Sequence, residues 1–168
     1  MSQEDKTKHL SLIVADLLPL LRRYSRALTG SQTSGDRYAA MTLEALLEDR
    51  SIFESASSPK VALFAAFNRI WSSIGAQVHA DETGLSAEAQ KHLSQLSVNT
   101  REALLLHTIE EFTVDEVAEI MEIKPSEAQH LINVANDEMA KSVSGKILVI
   151  EDEAIIALHI SKIVKGLG

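Results

Sequence analysis

The sequence predicts an all-α protein that ends in the first β-α unit of an α/β domain. Three observations carry that expectation. Apolar residues recur at spacings of three and four almost without interruption as far as Val143, capping and turn residues stand where such helices should begin and end, and the pattern changes abruptly after Gly145. The 168 residues suffice for one helical domain and part of another, with a core large enough to fold without covalent staples. Cysteine is absent, which excludes disulfides, iron-sulfur and zinc-finger sites and thiol catalysis, and suits a reducing cytoplasm. The polar start and the lack of any long apolar run predict no membrane span. A formal net charge of -8 and a pI near 5.2 set the average surface against a polyanion such as nucleic acid and in favour of basic partners.

Each element follows from local pattern. Leu10, Val14, Leu17, Leu21, Tyr24 and Leu28 form one apolar stripe, with Pro19 inside it as a kink or an early-turn residue. Gly30, Ser31, Ser34 and Gly35 read as a loop, so a second helix is expected from Asp36 to about Glu48. Ser58 and Pro59 mark the cap and first turn of a third, whose stripe is Val61, Phe64, Phe67, Trp71, Ile74 and Val78. Leu63 and Ile70 widen that stripe, as either a helix central to a bundle or a partner groove requires. Periodicity lapses from Ala76 to Gly84, which divides the helical part into 1–78 and 86–143 about a linker at 79–85. The second part should hold helices from Ser86 to Leu96 and from Thr100 to Glu111, the latter with Asn99 and Glu102 spaced as a capping box. Thr113 and Glu116 repeat that spacing before a helix ending near Met121. A turn at Glu122, Ile123 and Lys124 then leads to a long helix from Pro125 with Ala128, Leu131, Ile132, Ala135 and Met139 inward, which is helix-turn-helix spacing.

The string LSVNTREALLLHTIEEFTVDEVAEIMEIKPSEAQHLINVANDEMA, Leu96 to Ala140, resembles region 4 of extracytoplasmic-function sigma factors. LLPLLRRYSRALTGS near the start and SPKVALFAAFNRIW from Ser58 resemble region 2 more weakly. The chemistry departs from that resemblance. Pro125 to Ala140 carries no Lys or Arg, and its outward positions offer Glu127, Gln129, His130, Asn133, Asn136, Asp137 and Glu138. Gln129, Asn133 and Asn136 can in principle pair with bases, but phosphate contacts supply most DNA affinity and none is available here. SGDRYAAMTLEALLEDR likewise keeps little of the acidic and aromatic pattern that sigma factors use on polymerase and promoter. A sigma-like shape without sigma chemistry suits occupation of an anti-sigma factor.

From Lys146, KILVIEDEAIIALHISKIVKGLG resembles the first strand and helix of a response-regulator receiver over 146–168. Ile147 to Ile150 reads as a strand buried on both faces. Glu151 and Asp152 follow at its carboxyl end, either as oxygen ligands or as acids complementing a helix N-terminus. The receiver resemblance implies that they help hold Mg²⁺ in a complete receiver; two carboxylates alone make a poor magnesium site, so none is expected to bind specifically in this chain. The phosphoacceptor is expected beyond Gly168.

A sigma-like half followed by a receiver is the order of PhyR-type regulators of the bacterial general stress response, which the chain resembles. That resemblance implies a phosphorylation-gated anti-anti-sigma factor, whose sigma-like half is held by its own receiver until a sensor histidine kinase or phosphotransfer protein acts. It then binds a NepR-type anti-sigma factor, with no role for nucleic acid or membrane. Without a complete receiver the sigma-like half is expected to be constitutively active. The alternative is a DNA-binding sigma factor or helix-turn-helix regulator. Enzyme chemistry finds no motif, and the six histidines show no metal-ligand spacing. The residues nominated for partner contact are Leu63, Phe67 and Ile70 in the first half and Leu105, Ile109, Phe112, Val117 and Met121 in the second. Arg22, Arg23 and Arg26 form a basic cluster, either solvated or facing an acidic partner.

Overall fold

A computed structural model describes residues 3–49, 51–75, 85–97 and 99–143, with Ile156, Leu158, Lys162 and Ile163 near the C-terminus. The described residues form helices α1 (Gln3–Thr29), α2 (Gln32–Glu48), α3 (Ile52–Ser55), α4 (Pro59–Ser73), α5 (Leu85–Leu93), α6 (Thr100–Thr108), α7 (Val114–Met121) and α8 (Pro125–Val143). None of these helices is long and apolar enough to cross a membrane. Of the segment read as a linker, 79–84 lies outside the described residues, as do the strand 147–150 and Glu151 and Asp152, while Leu85 opens α5.

Two helix starts differ from expectation. α1 runs through Pro19 well past its first turn, so the proline neither opens nor divides the helix. α2 begins at Gln32, and Ser34 and Gly35 are helical: Ser31 is the N-cap, its side chain accepting from Ser34 N, while the Gly35 amide bonds to the Ser31 carbonyl. Gly35 is there because α2 presses on α1. A Cβ at this position would lie 2.8 Å from Arg26 N and 3.0 Å from Arg26 Cα. α4 starts as expected, with Ser58 Oγ accepting from Val61 N and Pro59 in the first turn.

The core sits under α4. Val61, Phe64, Phe67 and Trp71 are buried against Leu21, Tyr24 and Leu28 of α1 and Tyr38 of α2, whereas Ile74 further along that stripe is exposed. The aromatic rings form a connected series: Tyr24 lies 5.3 Å from Phe64 and 5.4 Å from Phe67, and Tyr38 lies 5.1 Å from Trp71. Such tilted and edge-on pairs add stabilisation beyond the area they bury. The series crosses into the second half, where Phe112 meets Phe64 at 5.1 Å and Lys60 Nζ stands 4.2 Å from the Phe112 centroid. The two halves therefore share one core, closed on the far side by Leu106, Val117, Ile120, Ala128 and Ile132.

α7 and α8 form the expected helix-turn-helix, with Glu122 in the left-handed region at φ 57° closing the turn. Thr113 caps α7 in a full capping box: Thr113 N donates to Glu116 Oε2 at 2.8 Å and Glu116 N to Thr113 Oγ1 at 3.3 Å. Thr113→Ala removes the acceptor and should lower stability by about 1 kcal/mol, read as a lower urea midpoint with unchanged slope. The similar spacing before α6 does not make a box. Asn99 is left-handed at φ 66° and forms no side-chain cap, and Glu102 is drawn away to Trp71.

Candidate partner-binding groove

α1 buries Leu21, Tyr24 and Leu28, which turns Arg22, Arg23 and Arg26 outward along one edge of the helix. Arg22 and Arg23 each reach an acid on another helix or segment. Arg22 grips Asp36 of α2 with two bonds, Nε to Oδ1 at 2.7 Å and Nη2 to Oδ2 at 2.8 Å. Those bonds hold the Asp36 carboxyl below its usual range and raise the Arg22 guanidinium. Arg23 reaches across the seam to Glu110, with Nε 3.0 Å from Oε1 and Nη2 2.9 Å from Oε2, and also donates to the Ile109 carbonyl. The Glu110 side chain is fully buried while Arg23 stays half-exposed, so the pair forms a charged lip over a buried acid.

Beside this lip lies a groove of about 620 Å³. Its first wall is made by α1 and α2, with Pro19, Ala27 and the three arginines; its second by α5 and α6, with Ala89, Leu93, Leu105 and Ile109. Gln90 Nε2 donates to the Ala27 carbonyl at 2.9 Å and ties the walls together. Arg101, buried at 6% exposure, fixes the same seam from within by donating to the carbonyls of Leu28 and Leu93. The groove thus combines an apolar floor with a rim on which Arg22, Arg23 and Arg26 stand beside Asp36 and the buried Glu110. That chemistry fits an amphipathic helix bearing acidic flanks.

The residues nominated from sequence divide sharply. Ile109 is 43% exposed on the groove's edge and Leu105 lies in its floor, although only 4% exposed. Ile70 and Met121 are half-buried against the core. Leu63, Phe67, Phe112 and Val117 pack in the core with almost no exposed surface and line no part of the groove, which corrects their placement on this contact face. The excess of apolar positions on α4 arises because that helix is surrounded on several sides, by α2, α3, α7 and α1. Sequence reading found the arginine cluster but not the opposite wall of Ala89 and Leu93, which comes from a short helix with few apolar residues.

The α8 face is as cation-poor as the sequence indicates. Glu127, Gln129, His130, Asn133, Asn136 and Asp137 are exposed, and Gln129 bonds to Asn133 rather than reaching outward freely. Glu138 is a correction: it turns back to accept from Ser97 N at 3.0 Å, from Ser97 Oγ and from Thr100 Oγ1, anchoring the approach to α6. These bonds, from Ser97 first, lower its carboxyl.

Comparison with known proteins finds relatives of both halves of the chain. A family model described as the sigma2 domain of PhyR matches residues 14–68, and one described as the sigma-like domain of response regulator PhyR matches residues 93–142. The phyllosphere-induced regulator PhyR of Methylorubrum extorquens is 38% identical over 156 residues, covering 93% of this chain and 58% of the relative, so the chain spans well under two thirds of that protein's length. Among solved structures, the complex of anti-anti-sigma factor PhyR with anti-sigma factor NepR from Bartonella quintana superposes with a TM-score of 0.78 at 34% identity, covering 95% of this chain and 60% of that one. The PhyRSL-NepR complex from Sphingomonas sp. Fr1 superposes with a TM-score of 0.70 at 33% identity, covering 86% and 96%.

Proposed function

This chain belongs to the PhyR family, and from that premise we propose that its helical body mimics a sigma factor and captures a NepR-type anti-sigma factor in the groove between its halves. Capture releases the extracytoplasmic-function sigma factor that the anti-sigma factor otherwise holds, and stress transcription follows. The observation that carries the reading is the inversion of charge between two faces. The α8 face, where DNA would bind, carries no cation from Pro125 to Ala140, while the arginines are gathered beside the apolar groove. Relatives whose sigma-like domains are solved in complex with NepR support the choice of partner.

Regulation by a complete receiver extends the proposal. The receiver holds the sigma-like body until phosphorylation by a sensor histidine kinase or phosphotransfer protein shifts the balance between two occupants of one surface. Glu151 and Asp152 enter there as two of the oxygen ligands of a magnesium ion, a role for the complete receiver alone. The protein acts in the cytoplasm as a regulator without catalysis of its own. Ile109→Asp tests the docking site: Ile109 is exposed, so stability should hold within about 0.5 kcal/mol. Calorimetric affinity for a NepR-type anti-sigma factor should fall by about tenfold or more, since a buried carboxylate at an apolar contact costs at least 1.4 kcal/mol. Unchanged affinity would place the contact elsewhere.

A further inference from the structure

The seam between the two halves is polar at its centre. Trp71 of α4, 2% exposed, donates Nε1 to Glu102 Oε1 of α6 at 2.8 Å, and Glu102 is itself 8% exposed. Nearby, buried Glu110 takes the fork of Arg23, and its backbone carbonyl accepts from Lys60 Nζ. Tyr24 lies within electrostatic reach of both carboxylates, fully buried, with a hydroxyl that has no protein partner. Glu102 also breaks a local rule. It stands at the right spacing to cap its own helix, but the cap is not made and the carboxylate serves Trp71 instead.

Buried carboxylates contribute little net stability compared with apolar packing of the same volume, but each can be satisfied only where its donors converge. Here the donors and acceptors belong to different halves, so the bonds are met at one relative orientation. Every property of the groove depends on that orientation, because one wall comes from α1 and α2 and the other from α5 and α6. We propose that Glu102, held by Trp71, is a positioning residue that fixes the angle between the halves and thereby shapes the groove for its partner. The consequence for binding rests on the function proposed above; the positioning role itself does not.

The chain has no cysteine, so Ala40→Cys on α2 and Asn136→Cys on α8, both exposed, accept spin labels uniquely. Double electron-electron resonance then reads the distance between halves. A single narrow distribution is expected in the labelled parent, a broadened or displaced one in Glu102→Leu, and recovery in Glu102→Gln, whose amide oxygen still accepts from the indole. Affinity for a NepR-type anti-sigma factor should fall about tenfold in Glu102→Leu and return in Glu102→Gln. If Glu102→Leu does not fold, Trp71→Phe, which keeps a ring and loses the donor, must broaden the distribution in its place. An unchanged narrow distribution in the folded variant overturns the proposal. A broadened distribution in a protein whose parent binds no anti-sigma factor leaves the positioning role standing and removes the proposed function.

Discussion

Phe67→Ala should destabilise the protein by about 3–5 kcal/mol, a large part of the about 5–15 kcal/mol that holds a domain of this size together. Phe67 has no exposed surface and packs against Tyr24 and Tyr38 at 5.4 Å and 6.1 Å. Its removal opens a cavity at the point where α1, α2 and α4 meet, and the two flanking rings, Tyr24 and Tyr38, cannot both collapse into it. Urea unfolding should show a much lower midpoint, with loss of partner binding only in proportion to the unfolded fraction. Ile109→Asp should do the opposite, losing partner and keeping stability. A Phe67→Ala protein that is as stable as the parent but fails to bind would mean that Phe67 is a contact residue after all.

Gly35→Ala is expected to destabilise although it places alanine inside a helix, where alanine is worth about 1 kcal/mol more than glycine. The opposing effect is larger. The added methyl would meet Arg26 N at 2.8 Å and the Ser25 carbonyl carbon at 3.0 Å, which are backbone atoms of a packed helix and cannot swing aside. Overpacking of this kind costs about 1–3 kcal/mol, and Gly35→Val, which forfeits most of the propensity gain, should cost more than Gly35→Ala. Because α2 also carries Asp36, moving it off α1 should loosen the Arg22 pair and widen the groove. Thermal unfolding of the two variants provides the check; a Gly35→Ala protein more stable than the parent would show that the helices separate at little cost.

These two positions also explain what was legible in the sequence. The helices of the second half could be read because their signals are local: the Thr113 and Glu116 box, the Glu122 turn and the inward stripe of α8 need only nearest neighbours in the chain. Gly35 misled because a glycine that permits close helix packing has the same letter as one that breaks a helix. Glu102 misled because a spacing fit for a cap gives no sign of an indole on another helix. The same limit applied to the groove. Arg22, Arg23 and Arg26 were visible as a cluster, but Asp36, Glu110 and the apolar wall of α5 and α6 reach them only through tertiary contact. An apolar stripe says which residues avoid water and does not say whether the neighbour is the same chain or another, so Phe67 and Ile109 looked alike.

The absence of cations from Pro125 to Ala140 was legible in full, because a charge count needs no three-dimensional information. It separates a decoy from a DNA-binding regulator, and the measurement that does so most directly is fluorescence anisotropy on a preformed complex of labelled sigma factor with a NepR-type anti-sigma factor. Added unphosphorylated, this chain should lower the anisotropy in proportion to its concentration until one equivalent has displaced the sigma factor. No change in that titration, together with salt-sensitive binding of the chain to promoter DNA, would contradict the decoy function.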